Sequence, residues 1–218
     1  MGLEPVAGGK AFGLMASWLS RPIILPTPAS TYELLCLDPA TVPHEIKSYW
    51  GEGFTGISGF KFKDYTQITK AEAQQLLQRL TGVRAAGPLV EQKFSSFVLT
   101  IDNILKMVAV YFRVSAGISV VIMGETGCGK TFSISYLSAF LSIPFFKLDV
   151  HGGIGEPEVK EFMVEPIRLA QDGSTVWVFL DEVNTCDALG LFKEMLCDHT
   201  MDGKLLPSSL KILAACNP

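Results

Sequence analysis

An eight-residue string near the middle of the chain constrains the fold more than any other feature. It follows a β-branched apolar stretch at residues 118–123, and a Ser-rich apolar stretch comes after it. The string, called the P-loop below, consists of Gly124, Glu125, Thr126, Gly127, Cys128, Gly129, Lys130 and Thr131. It matches the pattern G-x-x-x-x-G-K-[ST], whose glycines let backbone amides turn inward around phosphate oxygens. The sequence therefore predicts a strand, a phosphate-binding loop and a helix over residues 131–141.

The last two residues of the P-loop predict the ligand. The ammonium group of Lys130 can reach the β- and γ-phosphates of a nucleotide, and the hydroxyl of Thr131 can bind Mg²⁺. The N-terminal dipole of the following helix favours the same anion. An ordinary glycine-rich turn is the alternative, and the strand before the loop and the helix after it argue against that alternative. We expect ATP and Mg²⁺ as ligands.

A second signal is an apolar strand that ends in two acids. Residues 176–180 are all apolar, as in a strand buried on both faces, and Asp181 and Glu182 follow directly. Parallel α/β sheets bind their ligands at the carboxyl ends of the strands. We expect Asp181 to hold Mg²⁺ and Glu182 to polarise the attacking water, as in other P-loop proteins. Alone, the pair could equally be an acidic helix cap after a core strand.

A third apolar strand, over residues 210–215, is followed closely by Asn217. An asparagine there could orient the attacking water or contact the γ-phosphate, which we call the sensor role. Asn-Pro is also an ordinary turn signal, so a turn before Pro218 is the alternative. Asn184 could cap the next helix or extend the polar rim of the site, and its type favours the cap.

The rest of the pattern alternates between helix and strand. Thr69 and Glu72 form a capping box before a short amphipathic helix that Gly82 ends. A helix is predicted over 101–114 and a strand over 145–150. Residues 157–171 should be helical in two pieces, because Pro166 lacks an amide hydrogen and clashes one turn back. Asp202 and Gly203 should form a turn.

A final helix is predicted over residues 185–198. Its inward face should carry Leu189, Phe192, Met195 and Leu196. Alternating strands and helices predict an α/β fold with a parallel sheet flanked by helices. We divide the chain into an unassigned N-terminal extension, residues 1–90, and a P-loop core, residues 91–218. Residues 1–30 are rich in glycine and proline and predict loop.

Composition argues against several other classes. The net charge of −4 lacks the basic excess of a dedicated nucleic-acid binder. The longest uncharged run, residues 131–146, is too short for a transmembrane helix and contains Pro144. Five scattered cysteines include no CxxC pair, so no zinc site is expected. We expect a cytoplasmic protein without a transmembrane segment.

The order of these motifs resembles the AAA+ ATPase core. More specifically, the strings LTIDNILKMVAVYFR, LDVHGG, DEVNT, KEMLCDHTMDG and ILAACNP resemble the dynein-like AAA+ segments of the mysterin-type giant RING-finger E3 ubiquitin ligases. The resemblance covers about residues 97–218. It implies an ATPase module that works beside neighbouring AAA+ modules in a ring and with proteins of the ubiquitin system. It also implies that residues 124–131 bind phosphate, that Asp181 binds the metal ion, that Glu182 polarises the attacking water, and that Asn217 is the first sensor.

The sequence departs from that family in several ways. Four core strands are present, but the fifth strand, the helical lid and the RING cysteines are missing. The P-loop strand should therefore lie at an open sheet edge. We expect the chain to be part of a longer polypeptide, with ubiquitin transfer a property of the parent protein only.

Two other functions remain open. Without an arginine finger, hydrolysis could be slower by about 10³–10⁵-fold, which would leave a nucleotide-dependent assembly module. A small P-loop kinase or GTPase is the other alternative. The chain lacks the N/T-K-x-D string that reads guanine and has no obvious basic lid.

Overall fold

A computed structural model describes residues 23–30, 32–35, 43–45, 68–185 and 188–218. Most of the motif-free stretch 31–68, and the cysteines Cys36 and Cys186, lie outside the described residues. The described residues belong to two compact units. The first contains those up to Gly82 together with Leu99–Ile101, and the second contains Val83–Val98 and Asp102–Pro218.

The first unit contains a hairpin and a capped helix. Strand β1 (Ile23–Pro26) pairs antiparallel with β2 (Tyr32–Leu35), so the predicted loop over residues 1–30 is wrong where β1 lies. Helix α1 (Lys70–Thr81) has the predicted capping box. The Thr69 hydroxyl accepts from the Glu72 amide at 3.3 Å, and the Thr69 amide donates to the Glu72 carboxylate at 2.9 Å. Gly82 ends the helix in the left-handed conformation that glycine adopts readily.

The second unit is built on a four-stranded parallel sheet. Its strands are β3 (Val120–Met123), β4 (Phe145–Asp149), β5 (Val176–Asp181) and β8 (Leu210–Cys216), in the spatial order β3-β8-β5-β4. All three pairings are parallel. Two short strands, β6 (Thr200–Met201) and β7 (Lys204–Leu205), form a hairpin at the predicted Asp202-Gly203 turn. The predicted α/β sheet is confirmed.

The remaining helices have these bounds: α2 (Leu89–Lys93), α3 (Ile101–Ser115), α4 (Lys130–Phe140), α5 (Glu156–Gln171) and α6 (Leu189–Lys193). A 3₁₀ turn, Val183–Thr185, follows β5, and a π-helical turn, Glu194–Asp198, follows α6. No helix among the described residues combines the length and apolarity needed to cross a membrane.

Strand β5 is the centre of the core, because all of its residues are buried. On one face, Val178 and Leu180 belong to the same apolar cluster as Met163 of α5. On the other face, Trp177 and Phe179 are among the largest fully buried side chains. Burial on both faces fixes where the strand ends, and therefore where the acids that follow it lie.

Helix α5 corrects the prediction of two separate pieces. It runs unbroken through Pro166, whose side chain is buried against the core. A proline inside a helix removes one backbone hydrogen bond, but burial of its apolar ring opposes that loss. Tertiary packing has outweighed the local preference.

The helix predicted over residues 185–198 is also wrong in part. Within residues 185–198, only α6 is regular α-helix. The residues after it, Glu194–Asp198, form the π-helical turn. Phe192 and Met195 are buried as predicted. Leu189 is 55% exposed, whereas its neighbour Leu191 is 3% exposed.

The two leucines provide a matched pair of stability measurements. Leu191→Ala should lower the free energy of unfolding by about 2–5 kcal/mol, because it leaves a cavity in the core. Leu189→Ala should change it by less than about 0.5 kcal/mol, as expected for a surface position. Urea unfolding of both variants checks this. Equal losses would contradict the placement of α6.

The P-loop strand lies at a sheet edge, as predicted. Among the residues that the structure describes, strand β3 pairs with β8 on one side only. Its side chains are unusually exposed for a core strand: Val121 is 52% and Met123 73% exposed. An edge with apolar side chains and unpaired backbone groups is prone to pair with another chain.

Candidate nucleotide-binding site

The P-loop connects β3 to α4 and is open to solvent. Gly127 and Gly129 both have φ = 81°, a left-handed conformation that favours glycine. Gly129 is also the N-cap of α4. A Cβ atom on Gly124 would lie 3.1 Å from the Cys128 sulfur, so the loop is too tight there for a side chain without a shift. The glycine positions thus meet real backbone requirements.

The Lys130 ammonium group lies over the loop that carries it. It donates to the carbonyls of Gly124 at 2.6 Å and Glu125 at 2.9 Å. A third bond, of 3.0 Å, reaches the side-chain oxygen of Asn217 at the end of β8. An ammonium group has three N–H donors, which match these three oxygen acceptors; the Cys128 sulfur is a more distant acceptor at 3.9 Å. Phosphate oxygens of a bound ligand could replace these acceptors.

Thr131 and Asp181 form the candidate metal-binding pair. The Thr131 hydroxyl donates to Asp181 Oδ2 at 2.5 Å, although 50 residues separate them in sequence. Asp181 is only 9% exposed. Its carbonyl accepts from the Val150 amide at 2.9 Å, which fixes the strand end.

This pair suits Mg²⁺. The ion prefers oxygen ligands and usually takes one or two protein groups, with phosphates and water completing the octahedron. The described residues contain no cluster of three or more His, Cys, Asp or Glu that could hold a metal ion. A Mg²⁺ site of the P-loop type does not need such a cluster, so the residues present fit the ion.

Glu182 and Asn217 meet beside Lys130. The Asn217 amide nitrogen donates to Glu182 Oε1 at 3.2 Å. Glu182 has φ = 59°, which costs a non-glycine residue about 1–2 kcal/mol. Thr185 holds this turn, because its hydroxyl lies 2.8 Å from the Glu182 carbonyl and 3.0 Å from the Val150 carbonyl and shares its one hydrogen between them. Such strain, held by neighbours, occurs often at functional sites.

Asn184 does not cap the next helix. That helix begins at Leu189 with Ala188 as its cap. The Asn184 side chain instead bonds to the main chain of Asn217, donating to its carbonyl at 3.2 Å and accepting from its amide at 3.4 Å. The preference for a capping role was wrong.

Lys147 on β4 was not singled out from the sequence. Its ammonium group lies 2.5 Å from Asp149 and 3.4 Å from Asp181. Partial burial disfavours its charged form, but hydrogen bonds to the two carboxylates outweigh this and raise the pKa of Lys147. A lysine in the middle of a predicted core strand, two residues before an aspartate, was the signal available.

The structure brings together every side chain that the sequence proposed for chemistry. At the carboxyl ends of three adjacent strands, Lys130, Asn217 and Glu182 form one hydrogen-bonded group, and Thr131 and Asp181 form a second. The two groups together are called the network below. Apart from Cys128 of the P-loop, the structure describes Cys197, which is exposed, and Cys216, which is buried. Both are free cysteines.

Comparison with known proteins identifies the family. A family model described as the RNF213 AAA domain matches residues 97–218, more than half of the chain. The chain belongs to this family. The match contains the P-loop, β5 and β8, so the network described above lies within the family domain.

Curated relatives of the chain are RNF213 proteins, as the description of the family model suggests. E3 ubiquitin-protein ligase rnf213-beta of Danio rerio is 36% identical over 171 residues, 72% of this chain. E3 ubiquitin-protein ligase RNF213 of Mus musculus and that of Homo sapiens are each 42% identical over 135 residues, 56% of this chain. The chain spans about 3% of the length of these relatives.

Proposed function

We propose that this chain binds ATP with Mg²⁺ as an AAA+ module of a mysterin-type ubiquitin ligase in the cytoplasm. The observation that carries the proposal is the position of Lys130. Its ammonium group lies between the P-loop carbonyls and Asn217. From there it can bond to the terminal phosphates of a nucleotide bound at the P-loop. The exposed loop leaves this position open to a ligand.

Each residue has a proposed task. Backbone amides of residues 124–129 and the Lys130 ammonium group bind the phosphates. Thr131 and Asp181 hold Mg²⁺, which offsets phosphate charge when bound. Glu182 orients the attacking water, and Asn217 contacts the γ-phosphate or the same water.

Hydrolysis at its full rate and ubiquitin transfer belong to the complete protein in this proposal. The relatives named above are ubiquitin ligases, and this chain spans a small part of their length. We propose that neighbouring AAA+ modules complete the site and that ubiquitin-system proteins are partners of the whole. We also propose that residues 1–90 form an extension outside the module. A nucleotide-dependent assembly role is the second candidate, favoured by the open edge at β3.

The test is a titration of the purified chain with a fluorescent ATP analogue, with Mg²⁺ and with EDTA. We expect binding with Mg²⁺ and weaker binding after the metal is removed, because Thr131 and Asp181 then lose their link to the phosphates. Unlabelled ATP should displace the probe, and GTP should displace it less well. Absence of binding by a folded sample would refute the proposal, and a preference for GTP would favour the GTPase alternative.

A further inference from the structure

Asn217 is held through its main chain as well as its side chain. The paired ladder of β5 and β8 ends at Leu180 and Ala214. Beyond that point, the side chain of Asn184 supplies a donor and an acceptor to the carbonyl and the amide of Asn217. The Asn184 side chain therefore takes the place that a neighbouring strand would have had.

The other side of this strand end is fixed by the P-loop. The Gly124 amide donates to the Cys216 carbonyl at 3.3 Å. Residues 216 and 217 are thus held between the first residue of the P-loop and the turn that follows β5. The side chain of Asn217 can then bond to Lys130 on one side and to Glu182 on the other.

An asparagine suits this task for a chemical reason. Its amide group offers both a donor and an acceptor, as a peptide group does, and can therefore bond to both polar groups of one residue. Aspartate lacks the donor, and alanine lacks both. Asn184 is exposed, so its side chain holds the end of β8 through these two bonds and does not fill the core.

We propose that Asn184 is a positioning residue for Asn217, and that through it Asn184 sets the preference of the site for ATP over ADP. The inference rests on the proposed function, because it takes the γ-phosphate to lie between Lys130, Glu182 and Asn217. Without Asn184, the main chain at Asn217 loses two hydrogen bonds and can shift. The side-chain amide of Asn217 then no longer lies at a fixed distance from the terminal phosphate. ADP lacks that phosphate and is unaffected.

The test compares the affinities for ATP and ADP, each with Mg²⁺, in five proteins by calorimetry: wild type, Asn184→Ala, Asn217→Ala, the double variant and Ser174→Ala. Ser174 is an exposed polar residue at the other end of β5 and is the matched control. We expect Asn184→Ala to lower the ATP/ADP affinity ratio by about fivefold, the effect of about one lost hydrogen bond. Its affinity for ADP should stay within about twofold of wild type.

The double variant separates positioning from a general structural effect. If Asn184 acts through Asn217, the double variant should have the same ratio as Asn217→Ala alone. Additive losses would overturn the inference, as would an unchanged ratio in Asn184→Ala or a wild-type ratio near one. In each of these outcomes wild type still binds ATP, so the proposed function survives. Wild type that binds neither nucleotide overturns both.

Discussion

Lys130→Ala is expected to lower the affinity for ATP with Mg²⁺ by about 100-fold. The ammonium group is the cation that the structure places between the P-loop and Asn217. A hydrogen bond to a charged partner contributes about 1.5–3 kcal/mol, and 1.4 kcal/mol is a factor of ten in affinity. Alanine also leaves the loop carbonyls without their donor, so the loop is less well held. The fluorescent titration described above measures the change.

A matched lysine distinguishes a local effect from a general change in charge. Lys160 on α5 forms ion pairs with Glu156 and Asp202 and makes none of the contacts of the site. Lys160→Ala removes the same charge and should bind ATP as wild type does. Unchanged affinity in Lys130→Ala, with a normal thermal unfolding profile in both variants, would refute the proposed site.

The elements that position the site could be predicted because their signals are local. The glycines and Lys130 of the P-loop require a defined backbone, and five consecutive apolar residues before Asp181 require a buried strand. Strand direction then follows from the alternation of helices and strands. Together these rules predict that Lys130, Asp181 and Asn217 lie at the carboxyl end of the sheet.

The contacts between strands could not be predicted in the same way. Whether Lys147 reaches Asp181 depends on the register between β4 and β5, which pairs Asp149 with Asp181. Sequence spacing does not give that register. Asn184 likewise bonds to Asn217 only because β5 and β8 are neighbours in the sheet. The order of the strands along the chain does not give this neighbourhood. Side-chain type alone favoured the more common capping role.

The two helix errors have a shared cause. Pro166 and Leu189 were assigned from local rules, on proline geometry and on a 3.6-residue repeat. At Pro166 burial maintains the helix, and Leu189 is exposed because the predicted helix begins only at this residue, four positions later than expected. In both places the packing of the finished core, which no short window contains, decides the conformation.

Glu182→Gln is expected to slow phosphate release by about 10²–10⁴-fold, the usual contribution of a positioned general base. Affinity for ATP should stay within about threefold, because glutamine keeps the oxygen that accepts from Asn217. The substitution thus removes the charge and leaves the network in place. Release should be measured under single-turnover conditions with protein in excess, since turnover without a neighbouring module is expected to be slow.

The control is Glu165→Gln, which removes a carboxylate from an exposed ion pair with Arg168 on α5 and should release phosphate as wild type does. If Glu182→Gln and wild type release phosphate at the same rate, Glu182 does not act on the water. If wild type binds ATP and releases no phosphate above buffer, the assembly role is favoured over hydrolysis by this chain. The φ of 59° at Glu182 then has to be explained by nucleotide binding alone, because no water-activating step would remain to require it.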